Sequence, residues 1–258
     1  MLEIFCEDNM ELMARYPDKF FHLAIVDPPY GSATDFSDGG GRSWENRPRS
    51  RFGGRFSKYK INHASGGNAF KKYGQVQRTG GTWASKYSNN ITHWDIAPEP
   101  EYFKELFRVS QYQIIWGGNY FDLPPSRNFV IWRKLTISET FSMAMAEYAW
   151  TNIAGNSKVF EFAPQDKSRF HPTQKPQALY KKLLSMYAEP GWRILDTNLG
   201  SGTHALACYE LGFDLTACEI DPYYYSESIK MLKEFTSQRL LFPGGEAAPA
   251  PDLFEGLP

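Results

Sequence analysis

Four consecutive residues, Asp27-Pro28-Pro29-Tyr30, gather a carboxylate, a backbone carbonyl stiffened by proline, and an aromatic ring. An amine on a flat conjugated ring presents two N–H donors, and the Asp27 carboxylate and the Pro28 carbonyl are both acceptors that together can hold it. Holding both hydrogens draws the nitrogen toward sp³ geometry and frees its lone pair to attack an electrophile. Orientation and electrostatics would carry much of that acceleration. Tyr30 can stack on the ring that bears the amine. The alternative is a plain strand-terminating turn.

A second constellation follows far along the chain, at Asp196-Thr197-Asn198-Leu199-Gly200-Ser201-Gly202-Thr203. Glycines let a backbone turn tightly and approach a ligand, and a helix start offers unpaired N–H groups. Glu219 comes sixteen residues after Thr203, where an acid can accept from both hydroxyls of a ribose. The spacing is G-x-G without a third glycine, which disfavours a pyrophosphate. Asp196 would repel a pyrophosphate but suits a ligand carrying an amino group. S-adenosylmethionine meets that description better than a dinucleotide. Asp196, Asn198, Gly200, Ser201, Gly202, Thr203, Glu219 and Ile220 are the candidate ligand-binding residues, joined by Asp27. A turn that binds nothing is the alternative.

Both constellations need strands that end at them. Residues 20–26 are an apolar run stopped by two prolines, which reads as a buried parallel strand. A helix is expected over 99–109 and strands over 111–116, 129–132 and 146–151. A helix over 176–188 has Leu179, Leu183, Leu184 and Tyr187 on one face. A strand at 193–196, a helix at 203–211, a strand at 214–219 and a helix at about 223–236 complete a doubly wound α/β pattern.

Residues 31–90 differ from everything around them. They hold eleven glycines, nine scattered aromatics and no apolar periodicity. Their charge is +8 and that of the remainder is −9, although the whole chain is only −1. A concentrated basic segment in an otherwise acidic chain implies a polyanion met at one place. The candidate contacts are Arg42, Arg47, Arg49, Arg51, Arg55, Lys58, Lys60, Lys71, Lys72, Arg78 and Lys86. Such residues neutralise phosphates, and some arginines can read guanine edges. A solvated loop with incidental charge is the alternative. Order in this segment is expected to be partial without the polyanion, and the Pro- and Gly-rich residues 243–258 are expected to be disordered.

Taken together, the two motifs resemble the N6-adenine/N4-cytosine amino-methyltransferases of DNA. The catalytic motif precedes the cofactor motif, which is the order of that family's beta class. His171-Pro172-Thr173-Gln174-Lys175-Pro176 resembles the stretch that helps hold the cofactor's methionine end, which implies His171, Thr173 and Lys175 as further cofactor residues. A packing histidine and a solvated lysine are the alternatives there. Trp116 to Phe121, Trp132-Arg133-Lys134 and Glu147 to Trp150 resemble core segments of small phage and prophage members. The resemblance covers roughly 1–33 and 90–236. It departs at Asp196-Thr197-Asn198, where members commonly have Asp-Pro-Phe or Asp-Pro-x.

The resemblance implies a Rossmann-like core with a mixed seven-stranded sheet, formed by 1–33 and 91–236. Residues 34–90 would be a DNA-contacting insert, since the gap at 152–170, where the class usually carries target recognition, is short. It implies methyl transfer from S-adenosylmethionine, yielding S-adenosylhomocysteine, to a base flipped out of double-stranded DNA. Asp at position 27 favours adenine N6, and cytosine N4 is the alternative. A DNA-binding protein with a decayed catalytic centre is a third reading, against which stand the intact Asp27, Tyr30, Gly200, Gly202 and Glu219. Dimers are common in the class. Gln238-Arg239-Leu240-Leu241-Phe242 resembles a peptide that docks on bacterial sliding clamps, with an ordinary helix end as the alternative. Three widely spaced cysteines suggest neither a disulfide framework nor a metal site, and no membrane span is read. A bacterial or phage-infected cytoplasm, in a restriction-modification or phage setting, is the implied context.

Overall fold

The computed structural model describes residues 1–31, 95–137, 144–164 and 169–240, with the backbone alone for 238–240. The basic contacts expected in 34–90, the tail 243–258 and Leu241-Phe242 lie outside the described residues. The chain divides into a larger unit (1–30, 97–136 and 146–258) and a smaller one (31–96 and 137–145). In the smaller unit, the Gly31 N–H donates to the Asp95 carboxylate at 3.0 Å.

The larger unit is built on β1 (Leu2–Phe5), α1 (Asn9–Ala14), β2 (Phe21–Val26), α2 (Pro100–Val109), β3 (Ser110–Trp116), β4 (Phe129–Lys134), β5 (Ala146–Thr151), β6 (Lys158–Phe162), α3 (Gln177–Tyr187), β7 (Arg193–Asp196), α4 (Thr203–Leu211), β8 (Asp214–Cys218) and α5 (Pro222–Leu240). The strands form one sheet in the order β1-β8-β7-β2-β3-β5-β4-β6. Only β5 runs against the others, pairing antiparallel with β3 and β4.

Among the described residues the sheet has eight strands, one more than expected. Leu2–Phe5 and Lys158–Phe162 lie at its two edges, and neither is legible as a strand from its sequence. The second buries only Phe160 and leaves Val159 exposed, so it carries little apolar signal. It also falls inside the gap 152–170, for which the sequence suggests no strand.

Alternate residues of β2 point to opposite faces, as a pleated strand requires. Leu23 and Ile25 join a core with α3, α4 and α5. Ala24 and Val26 join a second core with α1 and α2. Burial on both faces is why the strand reads as an unbroken apolar run. Each large side chain so buried contributes about 1.5–3 kcal/mol.

The β2–β3 crossover passes through α2 on one face, and the β7–β8 crossover through α4 on the other. The two connections depart in opposite directions from the neighbouring strands β2 and β7. The crevice between those strand ends is therefore a topological switch point, the place where open α/β sheets take ligands. Among the described residues no helix is long and apolar enough to cross a membrane, and no group of His, Cys, Asp and Glu could hold a metal ion.

Candidate active site

Asp27 follows the last residue of β2, where Pro28 and Pro29 remove the N–H groups that would continue the ladder. Asp196 ends β7. The two strands pair in parallel, Leu23 opposite Ile194 and Ala24 opposite Leu195. Residues far apart in the chain are thus carried to neighbouring strand ends, on strands spaced about 4.8 Å apart. Glu219 follows β8, and Gly117 follows β3, at the same edge of the sheet.

Asp27 sits among charges. Its Oδ2 accepts from the Lys175 ammonium and its Oδ1 from the Tyr30 hydroxyl, at 2.7 Å. Lys175 also reaches Glu147 Oε2 at 3.2 Å, and Lys134 meets Glu147 Oε1 at 2.6 Å. The Lys175 side chain is 1% exposed. Burial pushes the Asp27 carboxyl up, against the pull of the Lys175 ammonium. Burial acts to lower Lys175, but Asp27 and Glu147 outweigh it and raise the ammonium above its ordinary value. Burial likewise acts to raise Glu147, but the two lysines hold it below the usual carboxylate range.

Tyr30 stacks on Tyr120, with ring centroids 4.8 Å apart and planes 18° from parallel. Its ring also lies against the backbone of Gly117. A Cβ there would come within 2.1 Å of Tyr30 Cε1, and Gly117 has φ +68°. Only glycine satisfies both conditions. Burial pushes the Tyr30 hydroxyl well above its ordinary value, and Asp27 adds to that.

The glycine loop is tied together from several sides. Asp196 is 2% exposed; its Oδ1 accepts from the Asn198 N–H at 3.0 Å, and its Oδ2 meets His204 Nδ1 at 2.8 Å. It was expected to face a ligand amine, and each of its oxygens also accepts one bond within the chain. Glu219 accepts the Gly200 N–H at 2.8 Å through Oε2 and the Asp221 N–H at 2.9 Å through Oε1. Burial raises its carboxyl despite those two donors. Thr203 donates its hydroxyl to the Lys175 carbonyl at 2.9 Å and lies 3.2 Å from the Ser201 hydroxyl. Gly200 and Gly202 adopt φ of +56° and +74°. Ile220, 58% exposed, is open to a ligand.

His171 lies beside the loop, its ring 3.3 Å from where a Gly200 Cβ would be. Its Nδ1 is bonded to Thr173, and its ring meets Tyr224 edge-on at 4.3 Å. Burial, helped by Arg169 and Lys175, lowers it to about 3, so it is neutral at neutral pH. Thr173 itself is exposed. Lys175, expected at the methionine end of a cofactor, is engaged with Asp27 and Glu147.

Several contributors escaped the sequence reading. Tyr102 on α2 bonds to Thr197 Oγ1 at 2.6 Å and donates to Asn198 Oδ1 at 3.3 Å. Thr197 stands where the family commonly has proline, and its hydroxyl makes a tie that proline cannot. His204 stacks on Tyr180 at 4.6 Å. Glu147 and Tyr120 lay in segments noted only as core. Their signal was present in residue type, but their partners come from other strands and loops.

Comparisons with known proteins agree with this architecture. No curated protein matches the chain in sequence. Among solved structures, the M1.HpyAVI–SAM complex is 16% identical with a TM-score of 0.51, covering 90% of this chain and 99% of that one. The cytosine-N4-specific PvuII DNA methyltransferase is 12% identical with a TM-score of 0.49, covering 93% of each chain. A candidate DNA modification methylase from Thermus thermophilus, complexed with S-adenosyl-L-methionine, is 15% identical with a TM-score of 0.48, covering 96% of this chain and 100% of that one. Residues 125–230, which hold Glu147, Lys175, the glycine loop and Glu219, match the family model described as DNA methylase. Over that segment the chain is similar to the N6/N4 DNA methylase family.

Proposed function

We propose that this protein methylates an exocyclic amine of a DNA base, using S-adenosylmethionine, and that the base is adenine. The observation that carries the reading is the adjacency of Asp27, at the end of β2, to the glycine loop at the end of β7. An amine acceptor and a cofactor loop occupy one switch-point crevice.

The donor set fits the cofactor. Glu219 is buried, its ionised form already supported by two backbone donors, and each of its oxygens keeps a lone pair for a ribose hydroxyl. Gly200 and Gly202 bring backbone close without side chains. Asp196 holds the loop through Asn198 and His204, and its carboxylate keeps lone pairs for the ligand's amine. When bound, S-adenosylmethionine supplies an electrophilic methyl group on a sulfonium. Asp27 and the Pro28 carbonyl then take the two N–H bonds of the amine and orient its lone pair. Tyr30 contributes a stacking face once its own contacts are released. The preference for adenine rests on the family's use of Asp at the position of Asp27.

The segment 34–90, with its charge of +8, is the proposed DNA arm. Deleting 40–80 is expected to weaken duplex binding and flatten its salt dependence; unchanged values would remove the arm from the reading. The function is tested by incubating the protein with tritiated S-adenosylmethionine and duplexes of varied sequence, then digesting to nucleosides. N6-methyl-2′-deoxyadenosine that disappears in Asp27→Ala is the expected product. N4-methyl-2′-deoxycytidine would overturn the choice of base. No transfer to any duplex, with DNA still bound, would favour a decayed enzyme.

A further inference from the structure

We infer that Lys175, tethered by Glu147, is the positioning residue for Asp27: it turns the carboxylate toward the substrate amine and keeps it ionised. The inference rests on the proposed amine methylation and adds a role for two residues to which that reading gives none.

The geometry is specific. The ammonium donates to Asp27 Oδ2, leaving Oδ1, now held by Tyr30, as the acceptor a substrate can claim. Its second carboxylate partner is Glu147 Oε2, and its remaining side lies 5.1 Å over the Trp116 ring. A lysine has three N–H donors, and this one is enclosed by two carboxylates and an aromatic face. Its backbone is anchored too, because its carbonyl accepts from Thr203 on α4. Asp27, Lys175, Glu147 and Lys134 alternate in sign along one connected chain. Their formal charges cancel, so the buried cluster carries no net charge while each member is paired.

The consequence concerns the acceptor. A carboxylate that must receive an N–H has to be ionised, and burial opposes ionisation. The charged groups facing Asp27 are Lys175, which favours its ionised form, and Glu147, which disfavours it. Tyr30, Tyr102 and Tyr180 also feel its charge; burial raises all three phenols, so they are neutral. Removing Lys175 and removing the charge of Glu147 should therefore move the titration of Asp27 in opposite directions.

The test is single-turnover methyl transfer to duplex DNA as a function of pH, with separate titrations of cofactor and DNA binding. Lys175→Met is expected to move the acid limb to higher pH by about 1 unit or more, the size of effect of a lost opposite charge. Its cofactor affinity should stay within about threefold of wild type. Glu147→Gln is expected to move the limb to lower pH, and Lys175→Arg to leave it in place while lowering the plateau rate. A purely structural role lowers the plateau without shifting the limb. Glu147→Gln keeps the test decisive should Lys175→Met fail to fold. Coincident limbs in an active wild type and its folded variants would overturn this inference alone. So would a Lys175→Met variant that loses cofactor affinity in step with rate, since that marks a cofactor ligand. A wild type that transfers no methyl group to any duplex overturns the functional reading as well.

Discussion

The Tyr30 hydroxyl donates to Asp27 Oδ1 at 2.7 Å. The carboxylate proposed to hold an amine is thus met by a donor from its own motif, and a substrate must displace that donor. Tyr30→Phe removes the competitor and keeps the ring. It is expected to leave the transfer rate within about threefold of wild type, with DNA binding equal or tighter. Tyr30→Ala loses the stacking face as well. Base stacking on an aromatic is worth about 1–3 kcal/mol, so a fall in kcat/KM of roughly 5- to 150-fold is expected. Steady-state methylation of a single-site duplex by both variants separates hydroxyl from ring, and equal losses would show that the hydroxyl itself is needed.

Gly117 holds the other contact of that ring. A Cβ at this position would overlap Tyr30, and its φ of +68° is costly for any other residue. Gly117→Ala is expected to push Tyr30 off Asp27, lower thermal stability by about 1–3 kcal/mol and reduce methyl transfer at least as much as Tyr30→Ala. Cofactor affinity should change little, because the glycine loop is elsewhere. Calorimetric unfolding and a cofactor titration on the same sample decide the point.

Tyr102 reaches the glycine loop from the opposite layer, bonding to Thr197 and Asn198. Tyr102→Phe leaves those partners with one donor fewer in a buried place. An unmet buried polar group costs about 1–3 kcal/mol. The expected result is a lower melting temperature together with several-fold weaker S-adenosylmethionine binding. A loss of stability with cofactor affinity intact would limit Tyr102 to a structural tie.

His171 makes stability depend on acid. Its folded value, about 3, lies below the ordinary histidine value of 6.5, so the unfolded chain takes a proton that the folded one refuses. Its contribution is fully present above pH 6.5 and is lost as the pH falls from there toward 3. The loss by pH 5 is roughly 2 kcal/mol, at about 1.4 kcal/mol per unit. Denaturant unfolding at pH 7 and pH 5 should show this difference in the wild type and a smaller one in His171→Gln. Equal differences in the two proteins would show that the imidazole is not held neutral.

Much of this protein was legible from its residues alone. The apolar run into Asp27, the glycines after Asp196 and the acid at Glu219 each announce a strand end, because burial on both faces, tight turning and helix initiation are local demands. The same residue types pointed to S-adenosylmethionine as the cofactor and to the amine acceptor proposed above. The edge strands Leu2–Phe5 and Lys158–Phe162 were hidden, since an edge strand is half solvated and lacks a continuous apolar pattern. Only tertiary structure could set Asp27 against Lys175 and Glu147 and tie the oxygens of Asp196 to Asn198 and His204. Only it could stack Tyr30 on Tyr120, or bring Tyr102 to a threonine that replaces the family's proline. Those pairings depend on which strands become neighbours, and strand order is decided by the packing of two helical layers on one sheet rather than by any stretch of the chain.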